Sequence, residues 1–146
     1  MPDKDAKASV EEMLDREAIR ELAVRYCHYV WQGDAEGVVN LYTEDGIFKN
    51  SDPAWPAAKG HAELRALLEG PQGKVKPRPF NHNHVVDLLG PDTAKGTAYL
   101  ESHMSLPEGR GLLIGFYDDE YVKVDGAWKF KVREITMEYF GPMANY

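Results

Sequence analysis

A chain of 146 residues, 43% hydrophobic and 28% charged, is long enough to bury a core and has the balance of a globular protein. Its 17 Lys and Arg against 24 Asp and Glu give a net charge of -7. The basic residues are scattered apart from a short run at Lys74, Lys76 and Arg78, so the chain lacks the electrostatic footprint of a nucleic-acid binder. No apolar run reaches membrane-spanning length, and the charged opening MPDKDAKAS has no apolar segment of the signal-peptide kind. The single cysteine, Cys27, cannot staple the fold, which points to a reducing compartment and a cytoplasmic location. Within a helical pattern it reads as a small buried hydrophobe.

In chain order, residues 1–9 are expected to fray. Ser9 and Glu12 have the form of a capping box. Met13, Ile19, Leu22, Ala23, Tyr26 and Val30 then recur at helical spacing and draw one apolar stripe, ending near Trp31 and Gly33. Asp34 caps a second, short helix from Ala35 to Leu41 or Tyr42, with Val38, Leu41 and Tyr42 inward. Thr43-Glu44-Asp45-Gly46 reads as a turn, Ile47-Phe48 as the start of a strand, and residues 50–59, with two prolines and Trp55, as a loop bordering a pocket. Gly60 to Glu69 is a third helix stopped by Gly70-Pro71, and residues 72–79 form a connection. Four strands follow at residues 80–89, 93–105, 111–124 and 127–140, with Asp125-Gly126 as the tightest turn.

Three helices ahead of a run of antiparallel strands is an α+β layout in one domain over residues 1–146. The strands cannot bury their apolar faces alone, so the helices must cover them and leave a concave space between.

Several stretches carry a resemblance. They are Asp15-Arg16-Glu17-Ala18-Ile19-Arg20-Glu21-Leu22, Arg25-Tyr26, Gly33-Asp34 and Leu41 to Gly46. Near the end come Tyr117 to Tyr121, Asp125 to Phe130, and Arg133. Together they resemble SnoaL-like proteins of the NTF2-like superfamily, from about Asp15 to Tyr139. The resemblance implies a cone, with three N-terminal helices packed on a strongly bent, mostly antiparallel sheet. That cone hosts many functions. The nearest look is toward scytalone dehydratase, hexachlorocyclohexane dehydrochlorinase and bile-acid 7α-dehydratase, lyases in which a pocket His paired with an Asp removes a proton. By this resemblance His82 takes the place of the catalytic histidine, Tyr26 that of a pocket tyrosine and Arg133 that of a pocket arginine. Trp31 stands where the partner aspartate is expected.

The residues allow a parallel reading. Asn81-His82-Asn83-His84 is polar where a core strand is apolar. Strict alternation groups His82, His84, Val86 and Leu88 on the face assigned to the concave side, which places one or both histidines inside, where a neutral imidazole suits proton abstraction; a hydrogen-bonded structural histidine remains the other reading. The His-x-His spacing, with Glu101 or His103 as a third ligand, is compatible with a metal, but nothing fixes such a geometry and no metal is expected. Ala94, Gly96, Ala98, Leu100 and Ser102 share one face of the next strand, their small side chains leaving room for a ligand. Arg133 points inward as an anion stabiliser or outward as a solvated charge. Trp31, Phe48, His84, Leu100, Ser102 and Tyr117 are expected to contact substrate.

The expected function is a cofactor-independent lyase or isomerase acting on a hydrophobic oxygenated molecule (a polyketide, steroid, terpenoid or aromatic intermediate). His82 would be its base, Tyr26 a hydrogen-bond donor to the substrate oxygen, and Arg133 or His84 a helper. The alternatives are a non-catalytic small-molecule-binding module and the small subunit of an aromatic-ring-hydroxylating dioxygenase. The outward sheet face suggests a homo-oligomer, a dimer or trimer.

Overall fold

Ala, Glu, Arg, Lys, Met and Leu, all good helix formers, make up more than half of the first thirty residues. The computed structural model describes residues 4–146, and its first helix, α1, spans Lys4–Gln32. Helix therefore begins five residues before Ser9, within the stretch expected to fray; residues 1–3 lie outside the described part. Ser9 and Glu12 sit inside the helix and cap nothing. Only the later part of the apolar stripe is buried, at Ile19, Leu22, Ala23, Tyr26 and Val30, while Met13 is 68% exposed because the first turns carry no opposing layer. Gly33, at φ +67, ends the helix, and Asp34 accepts from the Gly37 N–H to start α2 (Ala35–Val39).

The sheet has six strands in the order β2-β1-β6-β5-β4-β3. They are β1 (Tyr42–Asn50), β2 (Ala58–Lys59), β3 (Arg78–Leu88), β4 (Thr93–Leu106), β5 (Gly109–Val124) and β6 (Ala127–Pro142). All neighbours are antiparallel except β1 and β6, which run parallel. Helix α3 (Gly60–Glu69) and the short α4 (Pro71–Lys74) lie between β2 and β3. Strand β1 starts at Tyr42 rather than Ile47, and the predicted turn at residues 43–46 is an irregularity within it. The β5–β6 hairpin turns at Asp125 (φ +51) and Gly126 (φ +79), the two positive angles a tight I′ turn demands.

Two bulges bend β6. Its register against β5 shifts between Phe130 and Val132 and again between Met137 and Tyr139, and each extra residue adds local twist. They turn the strand around α1 and keep Phe130, Arg133 and Ile135 on the covered side, all buried. Core side chains such as Ile19, Leu64, Phe130 and Trp128 tie helices to sheet, each large apolar residue stabilising by roughly 1.5–3 kcal/mol.

A third bulge alters the reading of β3. Asn81 pairs with Leu100 and His84 with Ala98, so three steps on β3 match two on β4. The extra residue falls at His82-Asn83 and resets the alternation. Val86 and Leu88 face the core with His84, as strict alternation predicted, but His82 faces out.

Candidate functional site

Between α1 and the sheet lies a cavity of about 330 Å³. Tyr26 and Val30 of α1 form its inner side and Phe48 of β1 one wall; Leu100, Ser102, Leu113, Tyr117 and Ile135 form the sheet floor. Trp55, from the loop expected to border a pocket, stands at its rim edge-on to Phe140. Among the lining residues there is no His, Asp, Glu, Lys, Arg or Cys. The polar groups on the walls are the hydroxyls of Tyr26, Tyr117 and Ser102 and the amides of Asn50 and Gln72. Ser102 is 4% exposed, and its Oγ has no hydrogen-bond partner among the described residues. A buried hydroxyl of that kind leaves a bond unmade, and a ligand oxygen can complete it.

Behind Tyr26 and Tyr117 lies a charge. The Arg133 guanidinium sits 4.4 Å from the Tyr26 ring centre, 3.7 Å from that of Tyr117 and 4.5 Å from that of Phe130. Its Nε donates to Asp119 Oδ1 at 3.0 Å and its Nη2 to Oδ2 at 3.3 Å, while Nη1 has no hydrogen-bond partner among the described residues. Burial disfavours the Arg133 charge, but Asp119 and the neighbouring tyrosines outweigh it and hold the pKa above the ordinary value. Burial lifts the Asp119 carboxyl, against the pull of Arg133 and Tyr121. Three donors on the carboxylate, two from Arg133 and one from Tyr121, favour its charged form against that burial.

The polar chain continues away from the cavity. Tyr121 Oη donates to Asp119 Oδ2 at 2.8 Å, and His84 Nε2 lies 2.9 Å from Tyr121 Oη. Since Tyr121 gives its proton to Asp119, His84 must donate through Nε2, which leaves Nδ1 as a bare acceptor. That Nδ1 is buried without a hydrogen-bond partner among the described residues. Burial, then Arg133 and Arg20, push the His84 imidazole down to about 4, so it is neutral at physiological pH. A Cβ at Gly96 would meet the Val85 carbonyl oxygen at 2.5 Å and the Tyr121 ring at 3.1 Å, so glycine is what lets both come close. Ala94, Gly96 and Ala98 do not line the cavity.

The predicted site residues therefore separate. Tyr26, Phe48, Leu100, Ser102 and Tyr117 share the cavity, and Arg133 lies directly behind it. His84 lies outside the lining, toward the first half of α1. His82 is on the outer face, its Nε2 3.1 Å from Glu101 Oε1, with 55% of its side chain exposed. Trp31 is also outside, 42% exposed and donating through Nε1 to the Pro79 carbonyl. Asp119 and Tyr121 were missed. The alternation of Tyr117, Asp119 and Tyr121 on one strand face was the available signal. Cys27 is half-buried, and burial pushes its thiol up, away from the reactive thiolate. Among the described residues no three His, Cys, Asp or Glu side chains converge as a metal site, and no helix is long and apolar enough to cross a membrane.

The model of the SnoaL-like domain matches residues 11–134. The chain belongs to the SnoaL-like family. Solved structures similar to it carry the same NTF2-like cone. A hexachlorocyclohexane dehydrochlorinase (LinA-type3) from Novosphingobium barchaimii is 20% identical, over 94% of this chain and 96% of that one, with a TM-score of 0.84. A protein provisionally named a scytalone dehydratase, from Novosphingobium aromaticivorans, is 24% identical over 91% and 90%, with a TM-score of 0.82. An NTF2-like protein with a cystatin-like fold from the same organism is 26% identical over 99% and 95%, with a TM-score of 0.81. No curated protein matches the chain.

Proposed function

We propose that this SnoaL-like chain takes up a compact hydrophobic molecule bearing one or two oxygens in the cavity under α1. The observation that carries the reading is the wall itself: apolar nearly throughout, free of charge, and furnished with hydroxyls and amides at few points. Its volume of about 330 Å³ lies at the low end of the roughly 300–1,000 Å³ usual for ligand sites, which favours one- or two-ring ketones and phenols over steroids. Tyr26 is held neutral by burial, which outweighs the opposing pull of Arg133, and so serves as a hydrogen-bond donor. Ser102 supplies a second, unused hydroxyl.

A second reading, turnover in the same cavity as a cofactor-independent lyase or isomerase, is favoured by Arg133. A buried cation behind Tyr26 and Tyr117 would stabilise an oxyanion forming against the tyrosine hydroxyls. Its proton acceptor would be solvent at the open rim or a group of the substrate, because no lining side chain is a general base. Self-association and a cytoplasmic location belong to this proposal too. The first rests on the exposed Tyr99 and its neighbour Phe116 on the outer sheet face, ring centres 6.0 Å apart, and the second on the solitary Cys27. A thermal-shift screen with 1-tetralone, naphthols and steroids tests the ligand class. Selective stabilisation by the one- and two-ring compounds is expected, and stabilisation by steroids alone would overturn the size argument.

A further inference from the structure

An open groove of about 370 Å³ lies outside the cavity, lined by Trp31, Lys76, Arg78, Phe80, His103 and Arg110 with Met104 and Ser105. Its make-up is unusual for this chain. The protein carries a net charge of -7, yet the lining holds Lys76, Arg78 and Arg110 and no carboxylate. None of those cations forms an ion pair among the described residues. Glu101, two residues from His103 on β4, is already shared between His82 and His103 at 3.1 and 2.7 Å.

The aromatic residues are as exposed as the cations are unpaired. Trp31 is 42% and Phe80 46% exposed, their rings edge to face with centres 5.6 Å apart. Phe80 meets His103 in the same manner at 6.0 Å. The Arg78 guanidinium lies 5.2 Å from the Trp31 ring centre and spends Nη1 on the carbonyls of Lys76 and Pro77. Trp31 is pinned by its bond to the Pro79 carbonyl at 2.7 Å. Lys76 adopts φ +48, a left-handed conformation unusual for lysine, and its N–H bonds to the Gly73 carbonyl at 3.1 Å. The groove is thus a preset aromatic corner beside unneutralised cations.

We propose that this groove binds a small organic anion with a flat ring, the ring against Trp31 and Phe80 and a phosphate or carboxylate against Arg78, Arg110 and Lys76. Guanidinium groups suit such oxyanions through charge-assisted hydrogen bonds, and stacking on an indole suits any flat ring. The site is separate from the cavity: of its lining residues only Met104 is common to both. It does not rest on the cavity being a ligand site.

The chain's three tryptophans make the test direct. Trp31 stands in the groove, Trp55 at the cavity rim, and Trp128 elsewhere, donating to Asp15 Oδ1. Their indole N–H resonances are followed in ¹H–¹⁵N spectra while 1-naphthyl phosphate, 1-naphthoate or neutral 1-naphthol is added. Both anions are expected to shift the Trp31 resonance saturably and leave Trp128 in place, and their relative affinities tell a phosphate from a carboxylate site. The Arg78→Gln/Arg110→Gln variant, both changes lying at the surface, is expected to weaken that binding at least about tenfold, and added salt to weaken it further. Three results would overturn the proposal: no shift at Trp31, a shift confined to Trp55, or a Trp31 shift of equal affinity for naphthol or in the double variant. A failure here leaves the cavity reading untouched, since Trp55 reports on that separately.

Discussion

The Arg133 guanidinium lies 3.7 Å from the centre of the Tyr117 ring, closer than to the Tyr26 or Phe130 ring, and Tyr117 and Tyr26 both line the cavity. The charge is 1% exposed, and its one carboxylate partner is Asp119. Removing one member of such a pair strands the other in a dry site, whereas removing both does not. Asp119→Ala is therefore expected to cost about 3–5 kcal/mol. Asp119→Leu combined with Arg133→Met should recover most of it. Urea denaturation of the single and double variants measures the difference, and additive losses would refute the pairing argument.

His84 ties stability to pH. Its folded pKa, down to about 4, lies below the ordinary 6.5, so as pH falls the unfolded chain takes up the proton first. Above pH 6.5 both states are neutral and the residue contributes no slope. Between 6.5 and 4 stability is expected to fall by about 2 kcal/mol, after discounting the part of the ring that stays solvated. Paired denaturation curves at pH 7 and pH 4.5 for wild type and His84→Gln check this. The variant should show the smaller difference, and an equal one would place the slope elsewhere.

The cavity hydroxyls should affect ligands more than the fold. Ser102→Ala removes an unpartnered Oγ, so the melting point of the empty protein should hold or rise slightly. Affinity for an oxygen-bearing ligand should drop by about 1 kcal/mol, roughly fivefold, and the same is expected of Tyr26→Phe. Calorimetric titration with 1-tetralone and with its oxygen-free parent, tetralin, gives the comparison. Equal losses for both compounds would mean that the hydroxyls merely shape the space.

His82 supplies a negative prediction. Exposed on the outer face beside Glu101, it has no route to the cavity, so His82→Ala should leave ligand affinity within about twofold of wild type. A larger loss in the same titration would restore it as a site residue.

How far the sequence could be read follows from these residues. Ile19, Leu22, Ala23, Tyr26 and Val30 announced the buried face of α1 by spacing alone, and Asp125-Gly126 announced the final hairpin, because period and turn chemistry are local properties. Tyr26, Ser102 and Tyr117 were placed together because no bulge falls between the alternating inward residues Ala98, Leu100 and Ser102 of β4. The histidines were not placed correctly as a pair. One inserted residue at His82-Asn83 turns one ring outward, and a bulge leaves no mark in a period-two pattern until the partner strand is known. Gly96 misled in another way: a small residue signals that something comes close, and here it is the Val85 carbonyl and the Tyr121 ring.

The central claim is that the cavity under α1 holds the ligand. Calorimetric titration of 1-tetralone into wild type and Leu100→Trp tests it most directly, since Leu100 is 3% exposed on the cavity floor and an indole there fills the space. A melting curve and circular dichroism confirm first that the variant is folded. Saturable binding to wild type with loss of at least about tenfold in the variant is the predicted result. Unchanged affinity in a folded Leu100→Trp protein, or no binding of 1-tetralone and the naphthols to wild type, would contradict it.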